Sequence, residues 1–243
     1  MTPEKYVRII AGVFILSFLA SPCRAADPLT AIDVLLEPDD TMLVQAKADN
    51  ARLLKDCPGG FALDVTHIPH ISVFQCYVRA QDLDKVSAAV KRVVDAQKLA
   101  GMELEATGYF YIPWQGQELA GITVAPTPKL LKYQEAIIAA VAPFTAKNGT
   151  IAAFVPNEDG TPSDERIAAY VNTFIPQHAG KNYGPHVTIG IGRENLLKEM
   201  AAAPYVPFTF KIKSAGVYQL GDFGTARRKI WTSAEADPSP SPV

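Results

Sequence analysis

Two short stretches place an imidazole beside a hydroxyl: "IPHISVFQCYV" at 68–78 and "NYGPHVTIGIG" at 182–192. Each runs proline, histidine, apolar residue, hydroxyl residue, apolar residue, which pairs His70 with Ser72 and His186 with Thr188. On a strand, residues two apart share a face and stand roughly 6.5 Å from each other. Each histidine therefore shares a face with its hydroxyl, while Ile71, Val73, Val187 and Ile189 turn toward a core. Two such strands facing one cleft suit a tetrahedral anion. The hydroxyls donate to phosphate oxygens, one neutral histidine takes a proton from the nucleophile, and the other, protonated, gives one to the leaving oxygen. Histidine fits both roles because its unperturbed pKa is about 6.5. The residues leave open which histidine is base and which is acid, and the chemistry requires no metal. A single His-x-Thr in a strand is most often a hydrogen-bonded structural histidine. Two copies, both after proline and one in each half, point to a site.

The elements that must carry these residues alternate along the chain. "TAIDVLLE" (30–37) reads as a strand, and the segment 39–56 as a helix that opens on Asp39 and Thr41 capping candidates and ends at "CPGG". After the first histidine strand, 81–101 has apolar residues at helical spacing with Gly101 as a stop. "MELEATGYFYIPW" and "ELAGITVAP" read as strands. A helix from about Thr127 to Ala142, the polar loop "PNEDGTPSDER" and a helix through Ile175 lead to the second histidine strand. "ENLLKEMAAA" is a short helix, and "FTFKIKSAGVYQL" and "RRKIWTSA" are closing strands. Strand and helix units thus occur in both halves, which fits two similar lobes facing each other.

At 243 residues, 48% hydrophobic and 20% charged, the chain has ordinary globular composition, which excludes a fibre or a disordered protein. Residues 1–25 read as a secretory signal peptide: Lys5 and Arg8, an apolar run from Ile9 to Ala20, then small residues around Ala25. Twelve apolar residues rise only about 18 Å as a helix, short of the roughly 30 Å hydrocarbon core that a membrane anchor must cross. Pro22 before Cys23 fits a lipoprotein signal poorly. The expected product is soluble and exported, periplasmic or secreted, with cleavage after Ala25. Removing Lys5, Arg8, Arg24 and Glu4 leaves 20 basic against 24 acidic residues, a net charge of −4. Such a surface disfavours duplex nucleic acid and suits small or short ligands. Cys57 and Cys76 remain, and the sequence leaves open whether they form a disulfide or whether Cys76 is simply a buried strand residue. The expected organisation is a signal peptide at 1–25, a two-lobed domain at 26–233 and a disordered Pro/Ser tail at 234–243.

"HISV" and "HVTI" resemble the paired His-x-Ser/Thr-x signatures of the 2H phosphoesterase superfamily, whose best-known bacterial branch is the 2′–5′ RNA ligase family. "GKNYGPHVTIGIG" and "AGVYQLGDFGTARRKIW" are similar to the segments that follow and support the second signature, and the resemblance covers most of 29–233. It implies an α+β fold: two pseudo-symmetric lobes of antiparallel sheet plus helices around a central cleft. The implied activity is metal-independent phosphodiester hydrolysis, with no cofactor. Its substrate would be a 2′,3′-cyclic nucleotide, a 2′–5′ linkage or a short RNA end, ligation being the reverse reaction. His70 and His186 would be the acid–base pair, and Ser72 and Thr188 the phosphate donors. The two histidines lie 116 residues apart, longer than in compact members, so extra loops are expected around 145–165. Export favours the scavenging of nucleotides over tRNA processing, and a monomer is expected.

Other residues are weaker candidates. Tyr111, Trp114, Phe74 and Tyr183 could stack a base, although aromatics on strands are usually core. Lys181, Arg227 and Arg228 could attract phosphate, although exposed basic residues are more often simply solvated; Arg227 is the one carried forward. His67 and His178 lie outside the motifs. A metal enzyme finds no support in ligand spacing such as His-x-x-x-His. A non-catalytic nucleotide- or phosphate-binding module of the same fold is the alternative to an enzyme.

Overall fold

The computed structural model describes residues 27–114 and 116–234. The signal peptide expected at 1–25 and nearly all of the tail expected at 234–243 lie outside the described residues.

The apolar run at the start becomes β1 (Leu29–Pro38), buried along nearly its whole length because strands pair with it on both sides. Asp39 then caps α1 (Asp40–Asp56) by accepting from the Thr41 N–H at 3.1 Å. The remaining strands are β2 (Ile71–Arg79), β3 (Glu103–Trp114), β4 (Gln117–Val124), β5 (Thr145–Ala146), β6 (His186–Gly192), β7 (Phe208–Leu220) and β8 (Ala226–Thr232). The helices α2 (Leu83–Gln97), α3 (Pro128–Val141), α4 (Glu165–Asn172), α5 (Phe174–His178) and α6 (Glu194–Ala202) separate them. Thr127 accepts from the Leu130 N–H and Pro128 occupies the first turn of α3, a start that needs no N–H there.

All pairings are antiparallel, in the order β5-β2-β1-β7-β3-β4-β6, with β8 also on β7. The fold is therefore α+β. Strand β7 joins the two halves: Ile212 to Gln219 pair with β1, and Phe208 to Lys211 pair with β3. One face of the sheet packs against helices, through Leu53 of α1, Val86 and Val90 of α2, and Tyr133 and Ile137 of α3. On the other face Ala31, Tyr77, Ile191 and Leu220 meet Phe154 and residues of α4.

The single helix expected through Ile175 is broken into α4 and α5. Pro176 has no N–H to offer Asn172, and the Asn172 and Thr173 side chains instead bond the Gly149 and Ala169 carbonyls, both at 2.9 Å. Cys57 and Cys76 are both buried and both free, which answers the pairing question left open by the sequence.

Candidate active site

The two motif strands carry the same irregularity. In β2, Phe74 pairs with Val34 and Ser72 with Leu35, so Val73 has no partner on β1. In β6, Gly190 pairs with Ala120 and Thr188 with Gly121, so Ile189 has no partner on β4. Each strand therefore bulges at the residue after its hydroxyl, and the side-chain alternation slips by one there. Beyond the bulge, the residue that shares the hydroxyl's face is three positions on, not two: Gln75 after Ser72, and Ile191 after Thr188. Gly190 adopts φ +129°, a conformation L side chains rarely take, and an added Cβ would stand 2.7 Å from Asn50 Nδ2. That same Nδ2 donates to the Ile189 carbonyl at 2.8 Å, which pins the bulge to α1.

His70, Ser72, His186 and Thr188 line one cavity of about 100 Å³. Gln75 is on its floor; Phe110, Ile112, Trp114 and Leu119 come from β3 and β4, Ile167 and Tyr170 from α4, and Phe223 and Gly224 from the turn before β8. Both imidazoles are fixed from behind by a backbone carbonyl. His70 Nδ1 lies 2.6 Å from the Ile68 oxygen and His186 Nδ1 lies 2.9 Å from the Gly184 oxygen. A carbonyl can only accept, so in each ring Nδ1 carries a proton. The ring edge of Phe110 packs on His186 at 4.7 Å between centroids.

Among the described residues, only the first motif has a carboxylate beside it. Asp33, fully buried and paired in register with Gln75, accepts from Ser72 Oγ at 2.5 Å and Gln75 Nε2 at 3.0 Å, and its Oδ2 lies 3.4 Å from His70 Nε2. Its other oxygen is buried without a hydrogen-bond partner among the described residues. Such an orphan costs on the order of 1–3 kcal/mol. The position matching Asp33 in the second half, opposite Ile191, is Leu119. The histidines accordingly diverge. Burial alone would lower the pKa of His70, but the hydrogen bond to Asp33 and its charge outweigh burial and hold it above the ordinary imidazole value. Burial, reinforced by the charge of His70, holds His186 below that value. The site thus biases His70, beside a carboxylate, toward its protonated form and the facing His186 toward its neutral form. Thr188 Oγ1 makes no hydrogen bond to a described residue, whereas Ser72 already donates to Asp33.

An aligned structure is the apo crystal structure of LigT from E. coli, matched over 84% of this chain and 96% of that one, with 10% sequence identity and a TM-score of 0.42. No family model matches, and no curated protein is a significant match.

The structure brings together the four residues of the two His-x-Ser/Thr pairs, and Trp114 with them. The other substrate-binding candidates stand elsewhere. Phe74, expected on the face of Ser72, is turned by the Val73 bulge into the helix-side core, 1% exposed and edge-on to Phe174 at 5.8 Å. Tyr111 packs with the core on the opposite side of β3 from Phe110 and Ile112. Tyr183 is buried, and its hydroxyl donates to the Ser72 carbonyl at 2.8 Å, bracing one motif with a residue beside the other. Arg227 lies in a neighbouring hollow, where NH1 meets His67 Nε2 at 3.1 Å and NH2 donates to Glu158 at 3.3 Å. Asp33 is absent from the sequence-based candidates, although it stood out as the lone acidic residue inside the apolar run "TAIDVLL". Among the described residues, no group of three or more His, Cys, Asp or Glu is placed to hold a metal ion.

Proposed function

We propose that the chain is a phosphodiesterase of the 2H phosphoesterase type, acting without a metal on a small phosphodiester such as a 2′,3′-cyclic nucleotide, a 2′–5′ linkage or a short RNA end. The observation that carries this reading is the convergence of both His-x-Ser/Thr pairs on one cavity, with a carboxylate beside only one of them. That asymmetry supports one division of the roles that the sequence left open. His186, neutral, takes the proton of the attacking water at Nε2. As the P–O bond to the leaving group breaks, His70 delivers its Nε2 proton to the departing oxygen. Thr188 donates to a non-bridging oxygen, where negative charge grows. Ser72 acts from behind: it donates to Asp33 and so orders the carboxylate that keeps His70 charged. The aromatic and aliphatic lining from Phe110 to Phe223 receives the substituent of the diester. In this reading the mature protein works outside the cytoplasm on nucleotides or their breakdown products.

The test is hydrolysis of a panel of 2′,3′-cyclic nucleotides and 2′–5′ dinucleotides in EDTA, with His70→Ala and His186→Ala alongside. Turnover that survives the chelator and is lost in both variants supports the reading. A wild-type protein that turns over nothing on the panel, or variants that remain active, would refute it.

A further inference from the structure

The donors in and beside the first motif, among them the Ser72 hydroxyl that the family resemblance would turn toward phosphate, are already engaged by an oxygen of the protein. Ser72 Oγ, Gln75 Nε2 and His70 Nε2 all face Asp33 Oδ2, at 2.5, 3.0 and 3.4 Å. Asp33 thus sits in the position of an internal anion. No lysine or arginine is among the described residues lining the cavity. The cations nearby are engaged elsewhere: Arg166, over the Trp114 ring at 4.7 Å, donates to Asp164 at 3.0 and 2.8 Å, and Arg227 is held by Glu158. The positive charge of His70 is matched by the Asp33 carboxylate, so the enclosed space has no net positive charge to offer a ligand. The desolvation cost of an ion grows with the square of its charge, so a doubly charged group loses far more than a singly charged one on entering such a space. It also meets twice the repulsion from a carboxylate whose second oxygen has no donor.

We propose that Asp33 makes this cavity selective for a singly charged phosphodiester and actively disfavours the doubly charged phosphomonoester that hydrolysis leaves behind. Asp33 is then a specificity-determining residue that clears product as well as holding His70, and the ligand class narrows to diesters with no second phosphate inside the pocket. The rest of the lining agrees with this: Ile112, Leu119, Ile167 and Phe223 are apolar, and the donors that Trp114 and Tyr170 add are neutral, so no cation is offered to a further phosphate. The inference rests on the phosphodiester reading above, and binding rather than turnover separates the two.

The experiment is calorimetric titration of the wild-type protein at pH 7.5 with adenosine 2′-monophosphate and with its 2′-O-phosphate methyl ester, a singly charged diester of the same nucleoside. The methyl ester should bind at least about tenfold more tightly, a conservative share of what one extra charge facing a carboxylate is worth at an effective dielectric of about 20. In Asp33→Asn the preference should narrow, because the monoester no longer meets the doubled repulsion of the carboxylate, while its larger desolvation cost remains as His70 loses charge with its partner. Should that variant fail to fold, Leu119→Lys supplies a cation at the matching position of the other half, and it should likewise raise monoester binding. If the wild type binds the monoester as tightly as the ester, or if Asp33→Asn leaves the ratio unchanged, the charge selection is wrong while the phosphodiester reading stands. If the wild type binds neither compound, both fall together.

Discussion

Asp33→Asn offers the most direct access to the proposed division of labour. The substitution preserves shape and keeps an acceptor for Ser72, but it removes a charge from a fully buried position 3.4 Å from His70 Nε2. At an effective dielectric of about 20, that separation corresponds to an attraction on the order of 5 kcal/mol. Even a third of this exceeds the roughly 1.4 kcal/mol that changes a protonated fraction tenfold. With Asp33 gone, burial of the His70 ring acts unopposed and drives its pKa down. The sign follows for activity: His70 must be charged to serve as acid, so the alkaline limb of the kcat/KM profile moves to lower pH. His186 is depressed in part by the charge of His70. The variant lifts that pressure but also removes the Asp33 charge that raises His186, so the two effects oppose each other and the acid limb should move less than the alkaline one. The wild type should show a broad plateau around neutrality, and the variant a narrower bell, with activity on the former alkaline shoulder reduced at least about tenfold. Imidazole titrations followed by NMR, without substrate, check the same displacements independently of turnover. An alkaline limb that stays in place, or an NMR titration of His70 that does not move down, would refute the Asp33 argument.

Other expectations follow from the surroundings of the site. Gly190→Ala should destabilise the protein by about 1–3 kcal/mol in urea unfolding, since φ +129° and the 2.7 Å approach to Asn50 both oppose a Cβ. Activity should fall with it as the Ile189 bulge relaxes. Tyr133→Phe should leave stability within about 0.5 kcal/mol or raise it, because the hydroxyl is buried with no partner among the described residues. Cys57 and Cys76 are buried, and burial pushes the Cys76 thiol far above the ordinary range. Both should resist alkylation in the native protein and react only on unfolding, as read by mass spectrometry; rapid native labelling of Cys76 would contradict its burial. His67, His178 and His186 all have lowered pKa values, chiefly because their rings are partly withdrawn from solvent. For these three the unfolded chain takes up protons before the folded one does, which lowers Tm as pH drops below about 6.5; His70, held above the ordinary value, works in the opposite sense and makes the fall smaller than the three alone would give.

The convergence of the two His-x-Ser/Thr pairs was legible in the sequence because its signal is local: histidine and hydroxyl two apart, on runs whose apolar alternation declares a strand. The longer strands were legible for the same reason, down to β7 and β8, whereas the two-residue β5 lies where loops were expected. What the alternation cannot reveal is where it slips. A bulge leaves Val73 and Phe74 looking like ordinary neighbours, so counting by twos put Phe74 beside Ser72 and overlooked Gln75, which the fold places there. Asp33 could be read as an acidic residue in an apolar strand. Its partnership with His70 depends on the register between β1 and β2 across an intervening helix, which is long-range information. Phe223 and Tyr170 enter the cavity from a tight turn and from α4, segments whose own sequences carry no mark of the pocket. The split between α4 and α5 was signalled by Pro176, which the helical pattern through Ile175 concealed.

Strand β7 has a consequence for how the molecule comes apart. Because its thirteen residues are shared between β1 and β3, removing either half strips one edge of the strand that the other half needs. Neither half is a complete foldon. Amide exchange should therefore report the two motif strands opening with one common free energy, and a chain cut between them should not leave a fragment that holds its histidine in place.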